Sequence, residues 1–450
     1  MSDKPLVLVT APITTRSGYG NHSRDIVSAL LDLDKYEVKV NPVRWGNTPM
    51  NALEDGNPIH DKIKECMLTE PSLPKQPELH IHIVVPNEFQ PLGKKNIGMT
   101  AGIETTIPPP KWIEGMNRMD LNILTSEFSK QGFDQAEFES QDKQGNKGSL
   151  LKVTKPMETL FEGVDTNVYR PTNEINEVVK ETFDSIDNDW NFLSTGHWLS
   201  GNLGEDRKDL GMMVKVFCET FKNQKKPPGL ILKTSGATFS IIDREEILTK
   251  IKTIKKDIKG ILPPVYLIHG DLTDEEMNEM YNHPKVKAHI SFTHGEGFGR
   301  PLLEAAQSGK PVIAPGWSGQ QDFLNPNYSV LLSGSLAKVP KNSFPKEIYF
   351  EGSQWFQVNY QHASQIMKDV VKNYIKYLVK SKQLQVYTKS LFSYEKMKEK
   401  LDKIITPLIE SVPKQVELKL PKLQKIEGTP VKGEPVKGKL KLPALKKVTK

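Results

Sequence analysis

Residues 291–319 read SFTHGEGFGRPLLEAAQSGKPVIAPGWSG and guide the interpretation of the whole 450-residue chain. A strand-like run ends in a loop with three glycines at alternate positions, and Pro301 suits the first turn of a helix. Glycines allow a ligand to approach the backbone closely, and a helix start offers unpaired N–H groups to an anion. Glu296 and Glu304 could bind a hydroxyl-rich ligand, although an ordinary strand–loop–helix connection with solvated acids has the same pattern.

Strand-like and helix-like patterns alternate outward from this stretch along the whole body of the chain. Strands of a first series are predicted at Leu6–Thr10, Tyr36–Val40, His80–Val85, Ile97–Thr100 and Leu121–Thr125, with Ser126 capping a following helix. Strands of a second series are predicted at Asn191–Thr195, Gly229–Lys233, Val265–His269, Ala288–Phe292 and Pro311–Ala314. This alternation predicts an α/β protein with two Rossmann-like domains facing a cleft, and ligands at the carboxyl ends of the strands.

The same patterns suggest where the domains begin and end. We expect the first domain over residues 1–165 and the second over 166–385. A helix over 386–410 is expected to pack back on the first domain. Residues 411–450 are rich in Lys and Pro and contain no core-forming periodicity, so they are predicted to be disordered.

Composition excludes several classes of protein. The chain is 37% hydrophobic and 26% charged, which is ordinary for a globular enzyme. It contains no run of about 18 apolar residues, which argues against an integral membrane protein. Its start shows no signal-peptide pattern, so a cytoplasmic location is expected. Two cysteines can form neither a disulfide framework nor a four-thiolate zinc site.

The net charge of +6 lies in the tail rather than in the body. Residues 411–450 contain eleven Lys and three Glu, a net of +8, so the remaining residues sum to −2. Lysines without aromatic residues give a salt-sensitive attraction that could hold DNA or an anionic membrane surface. A solubilising or tethering tail is the alternative.

Three segments together resemble retaining glycosyltransferase family 4 (glycosyltransferase group 1), whose members have the two-domain GT-B fold. The segment EGFGRPLLEA at 296–305 resembles the family signature, in which two glutamates are separated by seven residues. The segment FEGVDTNVYRP at 161–171 is similar to the family's interdomain linker. Residues 192–217 are similar to the first strand and helix of the donor domain.

The resemblance assigns roles to residues of the second domain. It implies that Glu296 and the following residues Gly297, Phe298 and Gly299 hold the donor sugar, and that Glu304 binds the nucleotide ribose. It also implies that Arg207 and Lys208 neutralise the donor diphosphate, as the chemistry of a departing phosphate requires. Two departures from the family pattern are His197, where an Arg is usual, and Asp209, where a Gly is usual. Glu296, Arg207 and Lys208 are therefore the expected catalytic residues.

The first domain carries a weaker set of candidates. Its glycine-rich loop, which contains Gly18 and Gly20, resembles the family loop that approaches the donor phosphate or the acceptor. Arg16 and Glu104 are the acceptor-side candidates. The loop also approximates a dinucleotide fingerprint, but the second strand ends without the acid that would bind a ribose, which argues against an NAD site.

The resemblance implies a retaining glycosyltransferase that moves a sugar from a nucleotide-sugar donor to an unidentified acceptor hydroxyl, in a glycan, a lipid or modified DNA. We expect no cofactor, because the nucleotide sugar is a substrate, and no metal. His80 and His82 share a strand face, but no third metal ligand is evident. The pairs Asp32–Asp34 and Asp187–Asp189 are interpreted as solvated turn acids. The alternatives are a GT-B sugar-nucleotide epimerase or phosphorylase, or a non-catalytic sugar-nucleotide-binding protein.

Overall fold

The computed structural model describes residues 4–70, 72–141, 147–199, 201–236, 238–341, 343, 348 and 350–413. The described residues up to Val412 form one compact unit. The predictions made for the basic tail therefore lie outside the described residues from position 414 onward.

The first sheet is parallel throughout, with the strand order β2-β1-β3-β4-β5-β8. Its strands are β1 (Leu6–Ala11), β2 (Glu37–Pro42), β3 (Leu79–Ile83), β4 (Lys95–Thr100), β5 (Leu121–Leu124) and β8 (Met157–Thr159). All six residues of β1 are buried, as expected for a central strand whose two faces are both covered. A separate antiparallel pair is formed by β6 (Phe138–Gln141) and β7 (Lys147–Leu151).

The helices of the first domain begin at side-chain caps or at prolines. They are α1 (Gly18–Leu33), α2 (Pro58–Cys66), α3 (Pro110–Met116) and α4 (Glu127–Asp134). The predicted cap is confirmed, because the Ser126 hydroxyl accepts a hydrogen bond from the backbone N–H of Ser129 at the start of α4.

The second sheet repeats the arrangement, with the strand order β11-β10-β9-β12-β13-β14 and parallel pairing throughout. Its strands are β9 (Asn191–Thr195), β10 (Gly229–Lys233), β11 (Val265–Ile268), β12 (Val286–Ile290), β13 (Val312–Pro315) and β14 (Val330–Leu332). Its helices are α5 (Glu177–Asp184), α6 (Leu210–Phe221), α7 (Ile241–Lys256), α8 (Asp274–Asn282), α9 (Arg300–Ala306), α10 (Tyr360–Lys372) and α11 (Tyr374–Leu391). The predicted α/β architecture of two Rossmann-like domains is confirmed.

The structure differs from the predicted strands mainly where the apolar pattern in the sequence is short or absent. Strand β12 begins two residues before its predicted start and ends at Ile290, so Phe292 already belongs to the loop. Strand β14 has only three residues, and β15 (Gly334–Lys338) is mostly exposed, so neither has a clear apolar pattern. Strand β15 pairs with β16 (Gln354–Val358), and Gln354 also hydrogen-bonds Thr106 of the first domain.

The last helix, α12 (Tyr394–Glu410), packs on the first domain. Its buried residues recur every four positions and join the core of the first sheet: Met397, Leu401, Ile405 and Ile409. Tyr394 Oη donates to the Asp32 carboxylate (2.9 Å) and Lys35 pairs with Asp402 (2.7 Å). Asp32 is exposed, as predicted for a solvated acid, but it lies in the last turn of α1 rather than in a turn, and it binds α12.

Shortening one buried side chain of α12 tests its contribution to stability. Leu401→Ala should lower the free energy of unfolding by about 2–5 kcal/mol, because it removes buried methyl groups and leaves a cavity. Lys403→Ala, on the exposed face of the same helix, should change it by no more than about 0.5 kcal/mol. Urea denaturation of both variants measures the difference. Equal effects would show that α12 does not contribute to the core.

Candidate functional site

A cleft of about 1690 Å³ lies where the carboxyl ends of the two sheets face each other. Loops that follow β1, β4, β9 and β12 line it, as expected for ligand sites in open α/β sheets. Five of the eight arginines of the chain lie along its walls: Arg16, Arg24, Arg44, Arg207 and Arg300. Since arginine is otherwise scarce, the cleft is the natural place for an anionic ligand.

Glu296 is at the centre of the second-domain wall and is bound by two cations. Its carboxylate accepts a hydrogen bond from Lys208 Nζ and lies 3.3 Å from Arg207 Nη1. Arg207 Nη1 also donates to the backbone oxygen of Gly295 (2.9 Å) and pairs with Glu104 of the first domain (3.3 Å). The three expected catalytic residues and one acceptor-side candidate therefore form a single cluster.

Burial and the neighbouring charges shift the pKa values of the residues in this cluster. Burial would raise the pKa of Glu296, but the neighbouring ammonium of Lys208 and guanidinium of Arg207 outweigh it and hold this pKa below its usual value. Burial lowers the pKa of Lys208, an effect that the charge of Glu296 only partly offsets. Glu296 is thus a buried carboxylate that stays ionised at neutral pH.

The glycines of the signature loop fit tightly against the first domain. A Cβ atom at Gly295 would lie 2.4 Å from the backbone oxygen of Glu104, and one at Gly297 would lie 2.7 Å from that of Ala101. Both distances are too short for any other residue, so these positions require glycine for packing between domains. Ser126 Oγ also donates to the backbone oxygen of Gly297.

The two remaining residues of the signature loop, Phe298 and Gly299, have different structural roles. Gly299 has a φ of 99°, which a residue with a side chain rarely adopts. Phe298 is buried and its ring packs against Phe323, with 5.1 Å between centroids. The side chain of Phe298 is therefore part of the core, and its contribution to a ligand site is limited to its backbone.

Ser318 holds the backbone of Glu296 in place and was not predicted as a main site residue. Its hydroxyl accepts a hydrogen bond from the Glu296 N–H (3.0 Å), while Gly319 N–H donates to the Glu296 carbonyl (3.0 Å). Ser318 has φ 72° and ψ −164°, a conformation almost confined to glycine. Strain of this kind persists only where the surroundings enforce it, often at functional sites.

Arg300 connects the two domains through buried carboxylates. Its Nε donates to Glu304 (2.8 Å), and its Nη1 forms an ion pair with Asp25 of α1. Glu162, which is buried at the end of the first domain, faces the same guanidinium charge. The sequence analysis placed Glu304 in the site but missed Arg300. Its only indication in the sequence is that arginine is scarce in this chain, so that an arginine beside the glycine loop stands out.

Two carboxyl groups of this second cluster have raised pKa values. Burial raises the pKa of Glu304 to about 7, despite the opposing charge of Arg300. Burial likewise raises the pKa of Glu162 to about 8. Both groups therefore exchange protons near neutral pH.

The loop after β1 contributes its helix start and one arginine. Gly18 faces open space, whereas a Cβ at Gly20 would lie 2.1 Å from the backbone oxygen of Thr15, so Gly20 is needed for packing. Arg16 pairs with Asp271 of the second domain (Nε to Oδ2, 2.6 Å) and donates to Asn51. Arg16 thus spans the cleft rather than lying on one wall.

The described residues contain no group of three or more His, Cys, Asp and Glu side chains placed to hold a metal ion. His80 and His82 are both buried, and His80 Nε2 lies 2.9 Å from Thr10 Oγ1. Within the described residues, no helix is long and apolar enough to cross a bilayer.

Removing the charge of Glu162 tests its raised pKa. Because the folded state binds its proton more tightly than the unfolded state, the stability that this proton contributes is lost as the pH rises through about 8. Glu162→Gln mimics the protonated form, so it should match the wild type only below about pH 4.5, where the glutamate of the unfolded chain is also protonated. Above that pH the variant should be more stable than the wild type, by about 2 kcal/mol at pH 6 and about 5 kcal/mol at pH 9. Denaturant unfolding across this range measures both slopes.

The control for this prediction is Glu158→Gln, which alters an exposed glutamate on β8. It should reproduce the pH dependence of the wild type. A Glu162→Gln variant with that same pH dependence would show that Glu162 is already ionised in the folded protein at neutral pH.

No family model and no curated sequence matches this chain. Solved structures do match it. Sucrose-phosphate synthase from Thermosynechococcus elongatus has a TM-score of 0.58 at 12% identity, covering 91% of this chain and 100% of its own. A glycosyltransferase from Rickettsia africae gives 0.58 at 13% identity, with coverage of 91% and 100%. HepE from Anabaena, in complex with UDP and glucose, gives 0.57 at 13%, with coverage of 90% and 100%. The neighbours are GT-B glycosyltransferases, and the chain has the GT-B fold.

Proposed function

We propose that the protein is a retaining glycosyltransferase that moves a sugar from a nucleotide-sugar donor to an acceptor hydroxyl. The observation that carries the proposal is the ion-paired cluster of Glu296, Lys208 and Arg207 at the carboxyl ends of the second sheet. The fold supports it, because solved neighbours include sucrose-phosphate synthase and HepE with UDP and glucose bound.

In this proposal, Lys208 and Arg207 bind the donor diphosphate. Both side chains are largely buried, so their charges are little screened by water and act strongly on negative charge that develops on the leaving phosphate. Glu296 accepts hydrogen bonds from the hydroxyl groups of the sugar, and Glu304 from those of the ribose. The tight packing of Gly295 and Gly297 fixes the loop on which Glu296 lies.

The retaining mechanism is the finer part of the proposal. If the acceptor attacks the face from which the phosphate departs, an oxygen of that phosphate can take the acceptor's proton. Such a step needs cations at the phosphate rather than a carboxylate base. The pairing of Glu296 with two cations, which keeps its pKa low, suits a ligand for hydroxyl groups better than a base.

We further propose that the acceptor lies against an aromatic wall of the first domain. The rings of Tyr19 and Trp45 stack with centroids 4.1 Å apart and line the cleft. Arg44, next to them, is exposed and also lines the cleft. A flat aromatic surface beside a cation suits a sugar ring or a base with an anionic group nearby.

The experiment for the activity is incubation of the full chain with a panel of nucleotide sugars and pooled acceptors, including hydroxymethylated DNA, with mass spectrometry of the products. Transfer with release of the nucleoside diphosphate supports the proposal, and the anomeric configuration of the product, read by NMR, tests retention. Conversion of the nucleotide sugar without any acceptor would instead indicate an epimerase. Dependence on inorganic phosphate would indicate a phosphorylase, and no turnover a binding protein.

Lys208→Met should lower kcat about 100- to 1000-fold, because it removes a cation from the developing phosphate charge. Lys222→Met, at the end of the helix that follows Lys208, replaces a half-exposed lysine paired with Glu219 and should leave the rate unchanged. Steady-state kinetics of both variants measure the contrast. Unaltered kcat in a folded Lys208→Met protein would remove Lys208 from the mechanism.

Trp45→Ala should raise the KM for the acceptor about tenfold or more, because it removes one ring of the stacked pair. The KM for the nucleotide sugar should change less than twofold, since the donor is expected on the opposite wall. Hydrolysis of the donor in the absence of acceptor serves as the control and should also be unchanged. Equal losses for both substrates would place Trp45 outside the acceptor site.

A further inference from the structure

Helix α11 exposes a row of apolar side chains on the second domain. Ile375, Val379 and Val386 are 68%, 58% and 65% exposed. At about 100° per residue, the three lie within an arc of about 40° on the helix, so they form one row along it, here called the stripe. Single exposed apolar residues are common on protein surfaces, but three in register on one helix face are not explained in that way.

Lysines border this stripe on both sides. Lys382 and Lys389 follow one edge, and Lys376 and Lys380 lie beyond the other. The 18 residues of α11 include no Asp or Glu. The outer face of α11 is therefore apolar along its centre and positively charged along its flanks.

The opposite face of α11 packs into the core of the second domain. Leu384 is buried in the second domain, and Thr388 Oγ1 lies 2.9 Å from Gln307 Nε2 in the connection after α9. Asp369 of α10, an acid that contacts α11, accepts hydrogen bonds from Tyr377 Oη and Asn373 Nδ2. Because the inner face already provides the packing, the stripe is not needed to hold the helix in place.

We propose that this face of α11 docks on an anionic lipid surface. The three apolar side chains would enter the boundary between headgroups and acyl chains, while the flanking lysines reach lipid phosphates with their ammonium groups. Charge complementarity favours a negatively charged membrane, because this face carries four lysines and no acid. A second copy of the same face would instead bring lysines against lysines. The proposal is independent of the proposed transferase activity and of the basic tail.

The test is co-sedimentation of the full chain with vesicles of phosphatidylcholine containing 30% phosphatidylglycerol, compared with pure phosphatidylcholine vesicles. The wild type should bind the anionic vesicles and not the neutral ones. The triple change Ile375→Gln, Val379→Gln and Val386→Gln should lower the partition coefficient at least tenfold. It changes no charge, so attraction by the lysines of α11 and of the tail is retained.

The matched control is Ile241→Gln, Ile261→Gln and Leu336→Gln, which removes three exposed apolar side chains elsewhere on the second domain. It should bind like the wild type. Equal binding by the α11 variant and the wild type would overturn the proposal, as would equal binding to neutral vesicles.

A second measurement keeps the proposal testable if the triple variant misfolds. In Val379→Trp, brominated lipids in the anionic vesicles should quench the added fluorescence, whereas they should not do so in Ile261→Trp. Equal quenching of the two would overturn the proposal. So would a wild-type dimer in analytical ultracentrifugation that the triple change dissociates, because the face would then be covered by a second copy.

Discussion

The buried carboxylate of Glu296 is the group on which the cleft depends, because an isolated charge in that position would be very costly. Lys208 and Arg207 compensate it, and Glu104 in turn compensates Arg207. Glu104 belongs to the first domain and the other three to the second. The balance of charge at the site therefore requires both domains, and it draws the first-domain wall of the cleft to the second-domain wall.

This balance of charge is possible only because the backbone of the second-domain loop at Gly295 and Gly297 lies directly against the backbone of the first domain. Side chains at Gly295 or Gly297 would collide with backbone oxygens at Glu104 and Ala101, and would push apart the walls that carry Arg207 and Glu104. The Ser318 hydroxyl and the Gly319 N–H then hold the backbone of Glu296 in place with one hydrogen bond each. The strained conformation of Ser318 is consistent with a loop whose position is set by the site rather than by local preference.

Sequence reasoning identified the elements that local physics determines. Central strands have apolar residues at their centres and are almost wholly buried, and Asn191–Thr195 and Gly229–Lys233 were predicted to the residue. The cap at Ser126 follows from a local hydrogen bond. The interdomain pair of Arg300 and Asp25 joins positions 275 residues apart, and no pattern within either segment could show it. The exposed strand β15 and the φ angle of Ser318 were missed for the same reason, because tertiary contacts decide them.

The cations of the two clusters already have acidic partners. Arg207 and Lys208 are matched by Glu104 and Glu296, while Arg300 faces Asp25, Glu304 and Glu162. A diphosphate that enters must therefore share cations that already have partners. Glu304 and Glu162, with pKa values raised to about 7 and about 8, offer a way to do so. Added negative charge raises the pKa of a nearby carboxyl group further, so these two groups would take up protons as an anion binds. The two clusters can thus accept an anionic ligand without having to hold an uncompensated cation in its absence.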